Sequence, residues 1–308
     1  MTVTMDSATP GSGITSGRLA AVPFEERTVG RVLERATAAR PDEVLFLFER
    51  REYPLRGVDA QVDLLARNLH AAGVGQGTRV ALSMATSPGY LYGWLALAKL
   101  GAVEVPINTA YRGELLRYQL DKAKVSLAIA DQGPLLDAIE AVRGDVPSLT
   151  GVLSFPGTYS DLLGTPDDAH PATDEAPAWD GPAPGDIACA LYTSGTTGPS
   201  EGVLLTHHQQ VAFGHFFAEI NGLGPDDVLL NYSPFFHISG KFATLGCLLT
   251  GAGWCCGRPS RCRTTLPRAS STPSRNFRAR RPTRSRSTSC APPGSARTLG
   301  SAPPPDGG

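Results

Sequence analysis

Short, nearly continuous apolar segments alternate with helix-like patterns along most of the chain, and this alternation restricts the fold more than any other feature of the sequence. Residues 78–84, 102–107, 125–130 and 149–155 predict strands, with helical periodicity in the segments between them. Strands that are apolar on both faces and separated by helices indicate a parallel sheet covered by helices on both sides. The predicted fold class is therefore α/β.

Interruptions of this alternation divide the 308 residues into successive parts. A Pro-, Ala- and Asp-rich stretch separates two patterned regions, and the pattern stops at Gly253. The predicted organisation is a disordered N-terminus (1–23), a first α/β subdomain (24–163), a linker (164–185), the start of a second α/β subdomain (186–253) and a disordered tail (254–308).

The net charge of −1 conceals two oppositely charged regions. Residues 1–253 carry a net charge of −11, whereas residues 254–308 contain 11 Arg, no Lys and a single acid, Asp306. The tail also holds nine Pro and nine Ser and few large apolar side chains. Because such a segment cannot bury enough apolar surface to offset its ordering entropy, we expect it to be disordered.

Several classes of protein are not expected from this composition. Residues 1–17 have neither a basic nor an apolar region, so no signal peptide is predicted. The longest uncharged stretch of the patterned region, 80–98, is interrupted by Ser87–Gly89 and is not expected to span a membrane. Only Cys189 and Cys247 lie before residue 254, so no disulfide framework is expected and a cytoplasmic location is predicted.

A segment rich in glycine and hydroxyl groups follows the apolar strand 187–192 and carries the strongest chemical signal. The segment consists of Thr193, Ser194, Gly195, Thr196, Thr197 and Gly198. Its glycines allow backbone N–H groups to converge, and its four hydroxyls add donors suited to phosphate oxygens. No Gly-Lys-Ser/Thr ending follows, so it is not a Walker loop. A polar turn between strands is the alternative, but six such residues in a row favour nucleotide phosphate binding.

Four segments together resemble the adenylate-forming superfamily, which contains acyl-CoA synthetases, luciferases and peptide-synthetase adenylation domains. They are Gly75–Ala81, Leu100–Asn108 (similar to GAV-x-VP-I-N), Leu191–Val203 and Ser233–Gly240 (similar to P-x-F-H-x-x-G). The residues of the last segment and the Thr206-His207 pair resemble those of acyl- and aryl-CoA ligases more than those of peptide-synthetase domains. The resemblance implies the N-terminal part of the family's large domain, with parallel-rich sheets and helices on both faces, truncated within its second sheet.

The function implied by this resemblance is ATP-dependent ligation of a carboxylic acid to CoA. The acid attacks the α-phosphate of ATP, with Mg²⁺ bound, to give acyl-AMP and pyrophosphate, and the CoA thiol then takes the acyl group. By resemblance, Thr193–Gly198 would hold the β- and γ-phosphates. His237 would lie beside the carboxylate and the acyl-adenylate, and Ser239 and Gly240 would line the acyl pocket.

Two departures from the family pattern bear on activity. Glu201 occupies the position where the family usually has Lys, so it either repels the triphosphate or turns into solvent. The family's later segments for adenine and magnesium, for the ribose and for the catalytic Lys are not found in these 308 residues. We therefore expect no complete catalytic set and no acyl-CoA from this polypeptide. The alternative function is a non-catalytic nucleotide-binding remnant.

The tail admits three interpretations. Its Arg- and Ser-rich stretches suit electrostatic nucleic-acid binding, and Cys255, Cys256 and Cys262 suit metal ligation, although no second pair at ligand spacing supports a metal. The third interpretation, which we favour, is out-of-frame translation of a GC-rich gene, because Arg, Pro, Ala and Gly codons begin with two G or C bases. His207 and His208 predict no metal site, since adjacent residues at a helix start point in different directions.

Overall fold

The computed structural model describes residues 22–163, 180–193 and 201–256. Its strands are β1 (Val44–Phe48), β2 (Arg51–Pro54), β3 (Arg79–Ser83), β4 (Val103–Pro106), β5 (Leu127–Asp131), β6 (Gly151–Phe155), β7 (Ile187–Thr193), β8 (Glu201–Thr206), β9 (Val228–Leu230) and β10 (Gly253–Cys256). Its α-helices are α1 (Val29–Ala39), α2 (Leu55–Ala71), α3 (Pro88–Lys99), α4 (Gly113–Lys122), α5 (Pro134–Arg143), α6 (Thr158–Leu163), α7 (His207–Ile220) and α8 (Ile238–Thr250). A short 3₁₀ helix, Phe24–Glu26, precedes them.

The described strands form two mostly parallel sheets. The six-stranded sheet has the order β6-β5-β3-β4-β7-β8, and only the β7–β8 pair is antiparallel. The four-stranded sheet has the order β2-β1-β10-β9, and only the β1–β2 pair is antiparallel. The α/β fold class predicted from the alternation is confirmed.

Helix α3 lies in the core between elements of both sheets. Every residue from Gly89 to Lys99 is buried, as expected for a helix that is apolar on nearly all sides. Ser87 caps the N-terminus of the helix, and its hydroxyl accepts a hydrogen bond from the backbone N–H of Tyr90 at 3.2 Å. The apolar cluster around α3 includes Phe46 of β1 and Leu82 of β3, so a single core serves both sheets.

Helices α4 and α5 cover the other face of the six-stranded sheet. Leu116 and Leu120 of α4 and Ile139 of α5 belong to a second apolar cluster with Val105 of β4 and Ala128 of β5. The six-stranded sheet is thus buried on both faces, which explains why its central strands are apolar without alternation.

The structure differs from the prediction of two successive subdomains. Strands that follow residue 186 complete both sheets that begin before residue 163: β7 pairs with β4, and β10 lies between β1 and β9. The predicted segments 24–163 and 186–253 are therefore interleaved. The reason is that parallel strands pair edge to edge through backbone hydrogen bonds and are joined by crossover connections, so neighbours in a parallel sheet need not be neighbours in the sequence.

Strand β10 also corrects the prediction that the ordered pattern stops at Gly253. Trp254 is 1% exposed, and its ring stacks on Phe46 at a centroid distance of 4.8 Å. Residues 254–256 thus belong to the central position of a sheet and not to a tail. A four-residue strand with two cysteines carries too weak a period to be recognised in sequence. The rest of the predicted tail (257–308), like residues 1–21 and 164–179, lies outside the described residues.

Candidate nucleotide and acid site

The predicted phosphate segment joins two antiparallel strands at one end of the six-stranded sheet. Thr193 ends β7 and pairs with Glu201, the first residue of β8. Between them, outside the described residues, lie Ser194, Gly195, Thr196, Thr197 and Gly198. Because β7 runs parallel to β4, the segment leaves the sheet at the edge where β3 and β4 also end. Ligand sites of open α/β sheets occur at this carboxyl edge.

Glu201 stands at the base of this connection. It is exposed, as are Gly202, Val203 and Leu204 after it on β8. Gly202 pairs with Tyr192, whose ring would lie 3.1 Å from a β-carbon at that position, so the Tyr192 side chain covers the glycine. The exposed carboxylate is screened by water and salt, and its field on a neighbouring anion depends on ionic strength.

The Thr206–His207 pair has a structural role at the start of α7. The Thr206 hydroxyl accepts a hydrogen bond from Gln209 N, and the Gln209 side chain accepts one from Thr206 N, which forms a capping box. The His207 ring is fully buried, and its Nδ1 accepts a hydrogen bond from Val29 N at 3.4 Å. Burial lowers the pKa of His207 to about 4. The neutral ring therefore ties α7 to α1.

The segment that contains His237 connects β9 to α8. His237 immediately precedes the helix, and its backbone N–H donates to Pro234 O at 2.9 Å. Its imidazole is exposed beside the Phe236 ring, at a centroid distance of 4.7 Å. Ser239 is also exposed. Both predicted polar residues of the acid site are thus accessible at the N-terminal end of α8.

Gly240 lies on the buried side of this turn, against the backbone of its own segment. A β-carbon there would lie 2.9 Å from Ser233 O and 3.0 Å from Pro234 O, which leaves no room for a larger residue. The Asn231 side-chain amide donates to Gly240 O at 3.0 Å. Gly240 therefore allows the loop to fold closely onto α8.

The strand ends that flank the predicted phosphate segment lie at the same edge of the six-stranded sheet as the His237 segment. Phe235 N donates to the hydroxyl of Thr86, in the loop that follows β3, at 3.2 Å. In the strand order, β4 lies between β3 and β7, and β7 ends at Thr193. The His237 segment and the β7–β8 connection are therefore both at the carboxyl ends of β3, β4 and β7.

A buried ion pair beside this site was missed by the sequence interpretation. Glu104 of β4 is 1% exposed and Lys241 of α8 is fully buried, and Lys241 Nζ lies 2.5 Å from Glu104 Oε2. The signal that could have found it is one acid and one base, each placed in an otherwise apolar element. Buried charges of opposite sign must pair, because an unpaired charge in a core is strongly destabilising.

Other features of the described residues lie apart from this site. A cavity of about 860 Å³ opens between β2, α2 and α3, and Tyr53, Tyr92 and Phe155 contribute to its wall. Within residues 22–163, 180–193 and 201–256, no three His, Cys, Asp or Glu side chains are grouped as a metal would require. None of the helices in those ranges combines the length and the apolar character needed to cross a bilayer.

Comparisons with known proteins agree with this architecture. The sequence profile of the AMP-binding enzyme family matches residues 33–270. The 3-[(3aS,4S,7aS)-7a-methyl-1,5-dioxo-octahydro-1H-inden-4-yl]propanoyl:CoA ligase of Mycobacterium tuberculosis is 33% identical over 235 residues, which cover 73% of this chain and 46% of the relative. A crotonobetaine/carnitine–CoA ligase of Salmonella paratyphi B is 29% identical over 219 residues, covering 64% of this chain and 40% of the relative.

A solved structure shows the same fold. The crystal structure of the N-terminal domain of FACL13 from Mycobacterium tuberculosis superposes with a TM-score of 0.66 and 25% identity, over 75% of this chain and 57% of that one. This chain thus spans about half the length of the curated relatives it matches. With two mostly parallel sheets, a Thr/Gly-rich connection between the last two strands of the six-stranded sheet and the match to the family profile, the chain belongs to the AMP-binding enzyme family.

Proposed function

We propose that this chain supplies the ATP-phosphate segment and one side of the acid site of an ATP-dependent carboxylate–CoA ligase. The observation that supports it best is the placement of two polar groups at one sheet edge: the β7–β8 connection and the exposed His237 at the start of α8. The family match gives this arrangement its chemistry.

The donor set of the connection fits a polyphosphate. Four hydroxyls and two glycines between Thr193 and Gly198 offer side-chain and backbone donors to phosphate oxygens. MgATP, when bound, supplies the α-phosphate that the carboxylate attacks, with release of pyrophosphate. Glu201 is the residue that does not fit, because it places a negative charge at the base of the same connection.

His237, Ser239 and Gly240 serve the acid in this proposal. The His237 imidazole offers a hydrogen bond to a carboxylate or to an acyl-phosphate oxygen at the mouth of the site, and the Ser239 hydroxyl offers a second one. Gly240 lets the helix turn approach Ser233 and Pro234 closely, so that these donors stay at the surface of the site. The acid, ATP and CoA are the small-molecule partners of the proposed reaction.

A second candidate is a nucleotide-binding protein without ligase activity, and the exposed charge of Glu201 favours it. The two candidates differ in one product: adenylation of an acid releases pyrophosphate, whereas nucleotide binding alone does not. Incubation with MgATP and a panel of carboxylic acids, followed by a pyrophosphate assay, separates them.

The variant Glu201→Lys tests the proposed position of the phosphates. Because a base would replace an acid at the foot of the β7–β8 connection, we expect MgATP to bind about fivefold more tightly or better at low ionic strength, with a smaller gain as salt rises. Isothermal titration calorimetry at two salt concentrations measures both effects. Glu49→Lys, an exposed acid next to β1 in the other sheet, is the matched control. Equal affinities of parent and Glu201→Lys at low salt would place the phosphates elsewhere.

A further inference from the structure

The Glu104–Lys241 ion pair lies at the centre of a buried polar cluster that joins the sheet to two helices. Glu104 Oε1 accepts a hydrogen bond from the Tyr90 hydroxyl of α3 at 2.8 Å, and Glu104 Oε2 contacts Lys241 Nζ of α8 at 2.5 Å. Lys241 Nζ also lies 5.7 Å from the centroid of the Trp94 ring and 5.8 Å from that of Tyr90. Burial and the neighbouring carboxylate raise the pKa of Tyr90 well above its usual value, so the hydroxyl remains a donor.

The cluster is an unusual way to hold a core together. A buried ion pair gains little stability over apolar residues of similar volume, because both charges lose their hydration. What it does provide is a constraint: the buried ammonium and carboxylate must stay in contact, because separating them would leave each charge unpaired in the core, whereas apolar side chains pack in several ways. The ion pair therefore constrains the helix that carries Lys241, which is α8.

The part of α8 that the ion pair constrains is its first turn. Lys241 is the fourth residue of α8, and His237 is the N-cap of the same helix, so the buried ammonium holds the turn that directly follows His237. On the other side of His237, Phe235 N donates to the hydroxyl of Thr86 in the loop before α3, and the Phe235 ring lies 5.6 Å from that of Tyr90 in α3. His237 thus lies between two anchors that both involve α3 and the carboxyl edge of the sheet.

We propose that Glu104 and Lys241 are positioning residues that set the rotation of the first turn of α8 and so the direction of His237 and Ser239. That the direction of His237 and Ser239 matters for binding an acid rests on the proposed function. The positioning itself does not, and it can be measured without ATP or an acid.

The test combines hydrogen exchange with the spectrum of His237. In the double variant Glu104→Gln/Lys241→Met, we expect amides 241–244, which make the first hydrogen bonds of α8, to lose at least tenfold of their protection, while amides 247–250 at the other end of the same helix keep theirs. The ¹³C-labelled His237 ring resonance, assigned by its loss in His237→Gln, should move or broaden. Uniform loss along α8, or no loss and an unchanged resonance, would overturn the proposal.

A milder variant keeps the proposal testable if the double variant does not fold. Tyr90→Phe removes one hydroxyl that donates to Glu104, so we expect a severalfold loss of protection in amides 241–244, on a helix that Tyr90 is not part of. Tyr159→Phe is the matched control, because it removes an equally buried hydroxyl that bonds Gly89 O of α3 at 2.8 Å and not Glu104. Equal effects of the two variants on these amides would contradict a role for Glu104.

Discussion

Replacing Trp254 by alanine is expected to lower the free energy of unfolding by about 3–5 kcal/mol. Trp254 is 1% exposed, stacks on Phe46 of β1 at 4.8 Å and meets the Phe235 ring edge-on at 5.5 Å. Its removal leaves a large cavity between the four-stranded sheet and the His237 segment. Urea unfolding of parent and variant, followed by far-UV circular dichroism, measures the change.

The control for this prediction is Trp254→Phe. Phenylalanine keeps an aromatic ring for Phe46 and removes the indole N–H, which has no hydrogen-bond partner among the described residues. We therefore expect a loss well below that of the alanine variant. If Trp254→Ala changed stability by no more than an exposed substitution does, β10 would not be part of the sheet, and the boundary after Gly253 would be right after all.

Acidification is expected to remove about 3 kcal/mol of stability through His207 alone. Burial holds the pKa of His207 at about 4 in the folded chain, and the nearby Asp186 carboxylate opposes this only in part. An unfolded histidine titrates near 6.5, so between pH 6.5 and pH 4 the unfolded state binds a proton that the folded state does not. Stability should therefore fall as the pH drops through this window, and the contribution should level off below pH 4.

The comparison with His207→Gln isolates this contribution from the carboxylates that titrate in the same range. Urea unfolding at pH 7, 6, 5 and 4 should give a shallower decline for His207→Gln than for the parent, whatever its stability at pH 7. His208→Gln, at the half-buried neighbouring histidine, should change the slope less. Parallel curves for parent and His207→Gln would show that His207 is not buried in its neutral form.

Much of the fold could be predicted from local patterns, because apolar runs and caps are local signals. Thr28, for example, is a hydroxyl residue directly before the amphipathic stretch of α1, and in the structure its hydroxyl caps that helix by accepting a hydrogen bond from Arg31 N at 3.3 Å. The order of strands could not be predicted, since the pairing of β7 with β4 joins residues far apart in sequence. Trp254 shows the same limit: its strand became recognisable only through its partners β1 and β9.

The candidate site was predictable where a short motif carries the chemistry. The Thr/Gly-rich segment stands out from its composition, whereas His237 was assigned through the resemblance of residues 233–240 to the family pattern; the flanks of the first and the segment of the second lie at one sheet edge. Glu104 and Lys241 each stand out as a charge in an otherwise apolar element, but they were not predictable as a pair, because 137 positions separate them. Only the packing of α8 on β4 reveals that both are buried.

The most direct test of the account is MgATP binding by the 308-residue chain and by the variant Thr196→Val/Thr197→Val. The account predicts saturable binding that becomes at least tenfold weaker, about 1.4 kcal/mol, when the two hydroxyls are lost, because each hydrogen bond to a charged group contributes about 1.5 kcal/mol or more. Thr150→Val is the control: Thr150 lies just before β6, the outer strand on the other side of the six-stranded sheet from β7 and β8, and this variant should bind MgATP as the parent does. No saturable binding by the parent, or equal affinities of parent and double variant, would contradict a phosphate site between β7 and β8.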